Sequence, residues 1–132
     1  MSPAPPILAV SPVLLVRDVV KAADYFETAL GFRVPRMWGD PPHFCIARRD
    51  ALEIMLNQVR PNDPIHPNAA LNGRFDVYFT VSDADALHAE FRANGADIVC
   101  APGDHDYGMR EFQVRDLDGH LLAFGQIIGD AA

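Results

Sequence analysis

At 132 residues and 49% apolar, the chain is long enough to bury a core without metals or disulfides and has the composition of an ordinary globular protein. A formal net charge of −7, with the arginines scattered, excludes a basic nucleic-acid surface, and no apolar run is long enough for a signal peptide or a membrane span. The two cysteines, Cys45 and Cys100, lack metal-type spacing, so free thiols in a reducing cytoplasm are expected.

The opening Met1-Ser-Pro-Ala-Pro-Pro6 cannot propagate a helix or pair as a central strand, because proline lacks the N–H and offers little to pack. A strand is predicted over Ser11–Val16. It runs into Asp18, a helix N-cap, and a helix to Leu30 follows with Val19, Ala23, Phe26 and Leu30 on one face and Gly31 at its end. Phe32–Val34, His43–Ala47 and Ala51–Asn57 read as three strands separated by Pro- and Gly-containing turns. Arg60–Asn68 carries three prolines among Asn and Asp and reads as an irregular linker. Beyond it the pattern returns: a strand at Asp76–Val81, a helix from Asp83 to Asn94 burying Leu87 and Phe91, then strands near Asp97–Cys100, Glu111–Val114 and His120–Phe124. Asp116-Leu-Asp-Gly119 makes the last hairpin turn, since Asp-Gly tolerates the positive φ that such turns require. From Gly129 onward the residues are small and weakly anchored.

The chain therefore contains one unit twice, β-α-β-β-β followed by β-α-β-β-β. The fold class is α+β: two tandem modules, at about 8–57 and 73–128 with a linker at about 58–72, forming a curved mixed sheet with an internal cleft in one domain. Function is expected where the modules face each other.

Alternation along the strands sorts their side chains into two faces. Leu14 and Val16, Leu52, Ile54 and Leu56, Val77, Phe79 and Val81, and Leu122 and Phe124 form an apolar face that carries the helices. Opposite them point Ser11, Val13 and Leu15, then Glu53, Met55 and Asn57, then Asp76, Tyr78 and Thr80, then Leu121, Ala123 and Gly125. Small, polar and aromatic residues mixed on one sheet face suit a ligand cleft. Two loops are placed to close it. The first holds Trp38 among turn formers and ends at His43, which starts a strand crossing the cleft and is suited to act as acid, base or ligand contact. The second, His105–Glu111, offers Tyr107 and Met109 as adaptable walls, with Glu111 pointing inward and Phe112 toward the helix.

The duplication, the Leu30-Gly-Phe32 helix end, and the Asp116-Leu-Asp-Gly-His120 turn running into Phe124-Gly-Gln together resemble the vicinal oxygen chelate superfamily of glyoxalases, extradiol dioxygenases and bleomycin-resistance proteins. The likeness spans about Leu8 to Ile128 and is nearest to the metal-free bleomycin-resistance branch. It implies a homodimer whose pairing completes the clefts, and a divalent metal in the enzymes, held by His and Glu at four inner strand positions. Here those positions carry Ser11, Glu53, Asp76 and Ala123, of which only two are strong donors, so no metal and no cofactor are expected.

The expected function is metal-independent sequestration of a small, possibly aromatic, cationic molecule, with Trp38, His43, Glu53, Met55, Asp76, Tyr78, Tyr107, Met109 and Glu111 as ligand contacts. Two alternatives stay open: a lyase, isomerase or dioxygenase of the same superfamily using an atypical or carboxylate-only metal site, and a domain that serves interaction alone. No nucleic acid and no membrane is expected as a partner.

Overall fold

The computed structural model describes residues 3–129. The order is β1 (Val13–Val16), α1 (Val19–Thr28), β2 (Met37–Trp38), β3 (Phe44–Arg49), β4 (Leu52–Gln58), a short 3-10 turn (Asn68–Ala70), β5 (Val77–Thr80), α2 (Ala84–Ala93), β6 (Asp97–Asp104), β7 (Met109–Arg115) and β8 (Leu121–Ile127). The strands form two four-stranded sheets of identical topology, β1-β4-β3-β2 and β5-β8-β7-β6, rather than one continuous sheet. In each, the first strand pairs in parallel with the last, and the rest are antiparallel. The α+β class and the tandem βαβββ modules stand as expected.

The helices start the same way in both copies. Asp18 and Asp83 sit at the N-caps in extended backbone and accept from Lys21 N and Ala86 N. The first helical N–H is met by a glutamine from the last strand of the same module, Gln58 Oε1 for Val19 at 2.8 Å and Gln126 Oε1 for Ala84 at 2.9 Å. Two of the four orphan donors at each helix start are thereby satisfied. Each helix ends ahead of a glycine in the left-handed region, Gly31 at φ +68° and Gly95 at φ +83°, a conformation costly for any residue with a Cβ.

The helix-bearing faces of the two sheets meet in one core. Phe79 stacks on Phe124 (4.6 Å between centroids), Phe124 stacks on Phe112 (5.1 Å), and Phe91 meets both edge-on. From module one Phe26 packs on Phe32, and Phe32 reaches Phe79 across the junction at 6.5 Å. Polar contacts fasten the same junction: Tyr25 Oη donates to Arg115 O and accepts from Asp97 N, and Arg49 makes a two-pronged pair with Glu90 over the ring of Phe91. Truncating one of these buried phenylalanines costs about 3–5 kcal/mol.

Two expectations need correction. Phe32–Val34 is not a strand, since only an isolated bridge joins Arg33 to Arg48, and Phe32 turns into the core instead. The strand comes later, at Met37–Trp38, which pairs with Phe44 and Cys45. Elsewhere the elements differ from expectation by a few residues, most at β6, which continues to Asp104 through register shifts. The Pro-rich start is extended, unpaired and exposed from Pro3 to Val10, the linker is irregular apart from its 3-10 turn, and residues 1–2 and 130–132 lie outside the described residues.

The β7–β8 turn is built around a buried ion pair. Asp116 Oδ1 accepts from Asp118 N and His120 N, and Oδ2 faces His120 Nδ1 at 2.7 Å, with both side chains at most 6% exposed. Burial by itself lowers the His120 pKa, but the bond to Asp116 and the negative charge of Asp76 and Asp118 outweigh it and hold the imidazole above its ordinary 6.5. A base whose folded pKa is raised stabilises the fold fully below its unfolded pKa and loses that contribution as pH rises through the folded value. Urea melts of the native chain and of His120→Gln should therefore differ most at about pH 5.5 and converge toward about pH 9.

Candidate functional site

With the helix faces used up at the junction, the opposite faces of both sheets point away from it. Alternation along β7 and β8 puts Met109, Glu111 and Gln113, with Ala123 and Gly125, on the outward face of the second sheet, while Phe112, Val114, Leu122 and Phe124 enter the core. Across this face runs one constellation. Tyr78 on β5 extends over the central strand β8 and donates its hydroxyl to Glu111 Oε2 on β7 at 2.7 Å. Tyr107, in the β6–β7 turn, donates to Oε1, and His105 Nε2 stands 3.5 Å from that same oxygen with its ring stacked on Tyr107 at 5.0 Å. Glu111 is only 3% exposed, while Tyr78 and Tyr107 are 38% and 44% exposed. A buried carboxylate is costly unless hydrogen-bonded, and the phenols meet that need. Burial and the bond to Glu111 raise both phenol pKa values, Tyr107 to about 12, so both hydroxyls stay protonated as donors.

Small residues in β8 make the crossing possible. A Cβ at Gly125 would lie 2.6 Å from Tyr78 Cζ, with the Tyr78 hydroxyl closer still and Met109 Cε at 3.0 Å. The sequence placed Gly125 on the cleft face and His105 in a loop closing it, but neither among the ligand contacts, and only the pairing of Gly125 with both Thr80 and Glu111 brings it under the phenol.

The outward face of the first sheet has different chemistry. Trp38 pairs with Phe44 and meets its ring edge-on at 5.5 Å, and the Arg36 guanidinium lies 4.6 Å over the indole. Trp38 thus belongs to an edge strand and not to a free loop. Glu53, Met55 and Asn57 alternate with buried Ile54 and Leu56, and Val13 and Leu15 are half exposed beside them. Glu53 faces Arg48 at 3.4 Å. His43 precedes β3, is exposed, and packs its ring against Gly39.

The nine expected contacts therefore divide. Tyr78, Tyr107, Met109 and Glu111 come together on the second sheet, and Trp38, Glu53 and Met55 lie on the first, with His43 at the margin. Asp76 stands apart: its oxygens accept from Asn68 N at 2.6 Å and Leu121 N at 2.8 Å, clipping the linker to β8. These donors do not fit a metal, because Asp76 and Glu53 are engaged separately, Ser11 precedes β1, and Ala123 carries no donor. Among the described residues no group of three or more His, Cys, Asp or Glu side chains is arranged to hold a metal ion. No helix among them is long and apolar enough to cross a membrane.

A groove of about 360 Å³ also opens at the module junction between α2 and the β3–β4 hairpin, floored by Phe32, Phe79, Phe91 and Phe124. Its lining carries Arg49 and Glu90, paired at 2.6 Å, together with the carboxylates of Asp50 and Asp83.

The sequence profile of the Glyoxalase/Bleomycin resistance protein/Dioxygenase superfamily matches residues 9–124. Among solved structures, TioX from Micromonospora sp. ML1 is 26% identical with a TM-score of 0.70, covering 89% of this chain and 96% of its own. The bleomycin-binding protein from bleomycin-producing Streptomyces verticillus, complexed with copper(II)-bleomycin, is 26% identical with a TM-score of 0.69, covering 98% and 99%. A glyoxalase-related enzyme from Clostridium phytofermentans shares the fold at 19% identity and a TM-score of 0.77, over 96% of this chain and 100% of its own. No curated protein matches significantly.

If Gly125 is what lets Tyr78 cross the sheet, Gly125→Ala should cost about 1–3 kcal/mol in the native chain and close to nothing in a Tyr78→Ala background, where the clash is gone. A double-mutant cycle by urea unfolding checks this.

Proposed function

This chain belongs to the glyoxalase/bleomycin resistance protein/dioxygenase superfamily, and from that membership and the chemistry of its outward faces we propose that it is a metal-independent protein sequestering a small, partly aromatic, cationic molecule. The observation that carries the proposal is Glu111, a nearly buried carboxylate on an outward sheet face with two tyrosines hydrogen-bonded to it. A carboxylate flanked by aromatic rings in an acidic chain favours cations over anions. The bleomycin-binding relative, solved with copper(II)-bleomycin, supports binding as a use of this fold. The engagement of Asp76 by backbone and of Glu53 by Arg48 supports independence from a metal.

The working unit we propose is a homodimer in a reducing cytoplasm. β1 and β5 each form one edge of their sheets, with half-exposed Val13, Leu15 and Tyr78 on them. Unpaired edges invite a second chain, and a two-fold operation that sets β1 against the β5 of a second copy repeats itself at the other end. Each cleft then combines Trp38, Glu53 and Met55 of one chain with Tyr78, Tyr107, Met109 and Glu111 of the other.

Thermal unfolding with metal-free bleomycin and a panel of aromatic amines tests the function. A binder at a hundred times its dissociation constant should add about 2.7 kcal/mol of stability, unchanged by prior dialysis against chelator and lost in Glu111→Gln. A stoichiometric divalent ion that is lost in Glu53→Ala and is required for turnover would favour the enzyme instead, and silence across the panel would favour an interaction domain. For assembly, sedimentation should give twice the monomer mass, and Leu15→Glu, which puts a charge into the pairing edge, should give monomer.

A further inference from the structure

The hydrogen bonding and burial of Glu111 narrow the kind of cation. Both carboxylate oxygens already hold a phenol, Oε2 that of Tyr78 and Oε1 that of Tyr107, and His105 Nε2 stands 3.5 Å from Oε1. A carboxylate has about four lone-pair sites, and the phenols occupy one on each oxygen without removing its charge. A guanidinium or amidinium binds a carboxylate through two parallel N–H bonds, which need both oxygens free in one plane. Glu111 is only 3% exposed, so a fork reaching its oxygens would have to displace the phenols that cover them. A methylated ammonium brings charge without a fork of donors to satisfy, and what it seeks is negative potential and ring faces.

Ring faces are what the surroundings offer. Tyr78 and Tyr107 flank the carboxylate, and Phe75 lies 5.5 Å from Tyr78 at an angle of 57°, the three being 37–44% exposed. One face of Tyr107 is covered by His105. Below, Gly125 makes room for Tyr78 itself, and Met109 adds a polarisable methyl near Gly125. Arg110, the neighbouring fixed cation in sequence, is turned to the other face and held by Asp85 and Asp104, so it does not neutralise Glu111. We propose that Glu111, Tyr78, Tyr107 and Phe75 form a subsite for an alkylammonium group, including fully methylated nitrogen, and that the tyrosine hydroxyls on Glu111 exclude guanidinium and amidinium. This rests on the outward face being the binding surface, and it adds the class of headgroup.

Three probes with one aromatic body test it: benzyltrimethylammonium, benzylguanidinium and benzyl alcohol, titrated into the full chain while tyrosine ring resonances are followed by NMR. Benzyltrimethylammonium should bind on the order of tenfold more tightly than either other probe, and Tyr107→Leu should remove most of that advantage. The sharper readout is Tyr107→Phe, which keeps the ring and frees Oε1. There the ammonium should hold its affinity within about threefold while benzylguanidinium gains on the order of tenfold. Guanidinium binding as tight as ammonium in the native chain, with Tyr78 and Tyr107 shifted, would overturn the headgroup assignment and leave the cleft intact. No shift of either tyrosine with any probe would overturn both. Melting curves of the variants establish that each is folded.

Discussion

The shared phenylalanine core is the constraint on which everything else depends. Because Phe79, Phe124, Phe112 and Phe91 of the second module pack in one cluster with Phe26 and Phe32 of the first, both sheets turn their helix-bearing faces inward. Their other faces are left outside and unmatched. Among the described residues β1 and β5 each keep one edge without a strand partner. The apolar burial that makes the chain fold is thus what leaves two chemically distinct sheet faces turned outward.

The two modules share a scaffold and differ in what they display. Gln58 and Gln126, each accepting the first N–H of a helix, set the correspondence between β4 and β8. Counting back one residue and across the ladders, Asn57 with Leu15 and Phe44 corresponds to Gly125 with Thr80 and Glu111. Val13 corresponds likewise to Tyr78. Module one presents Val13, Leu15 and Phe44 around the amide of Asn57 at these positions, and module two a carboxylate with a phenol laid over a glycine. In the dimer proposed above, the module-one face would bring mainly apolar and aromatic contact area and the module-two face the buried carboxylate, a mixture common in small-molecule sites.

Much of this was legible from the residues, and the failures have physical causes. The repeat, both helices, the caps at Asp18 and Asp83, and the placing of Phe112 toward the helix with Glu111 on the opposite face followed from cap chemistry and periods of 3.6 and 2. Phe32–Val34 has strand composition but serves the core and a single bridge, whereas the two-residue strand at Trp38 is too short to carry a period. Asp76 shows how alternation finds a face without revealing a partner. Its place at the head of β5 suggested a cleft carboxylate, while the structure commits it to the Asn68 and Leu121 amides. The Tyr78–Glu111–Tyr107 cluster joins residues from a strand, a turn and a second strand, and no local pattern announces that convergence.

Subunit mixing tests most directly that each cleft is shared between chains. Trp38→Ala alters the module-one face and Glu111→Gln the module-two face, and each variant alone should fail to bind metal-free bleomycin. When the two are unfolded together and refolded as mixed dimers, a shared cleft requires that one site in each heterodimer combine two native faces, so titration should recover about a quarter of the native site number. Zero recovered sites, with heterodimers present, would contradict the account and place the whole site within a single chain.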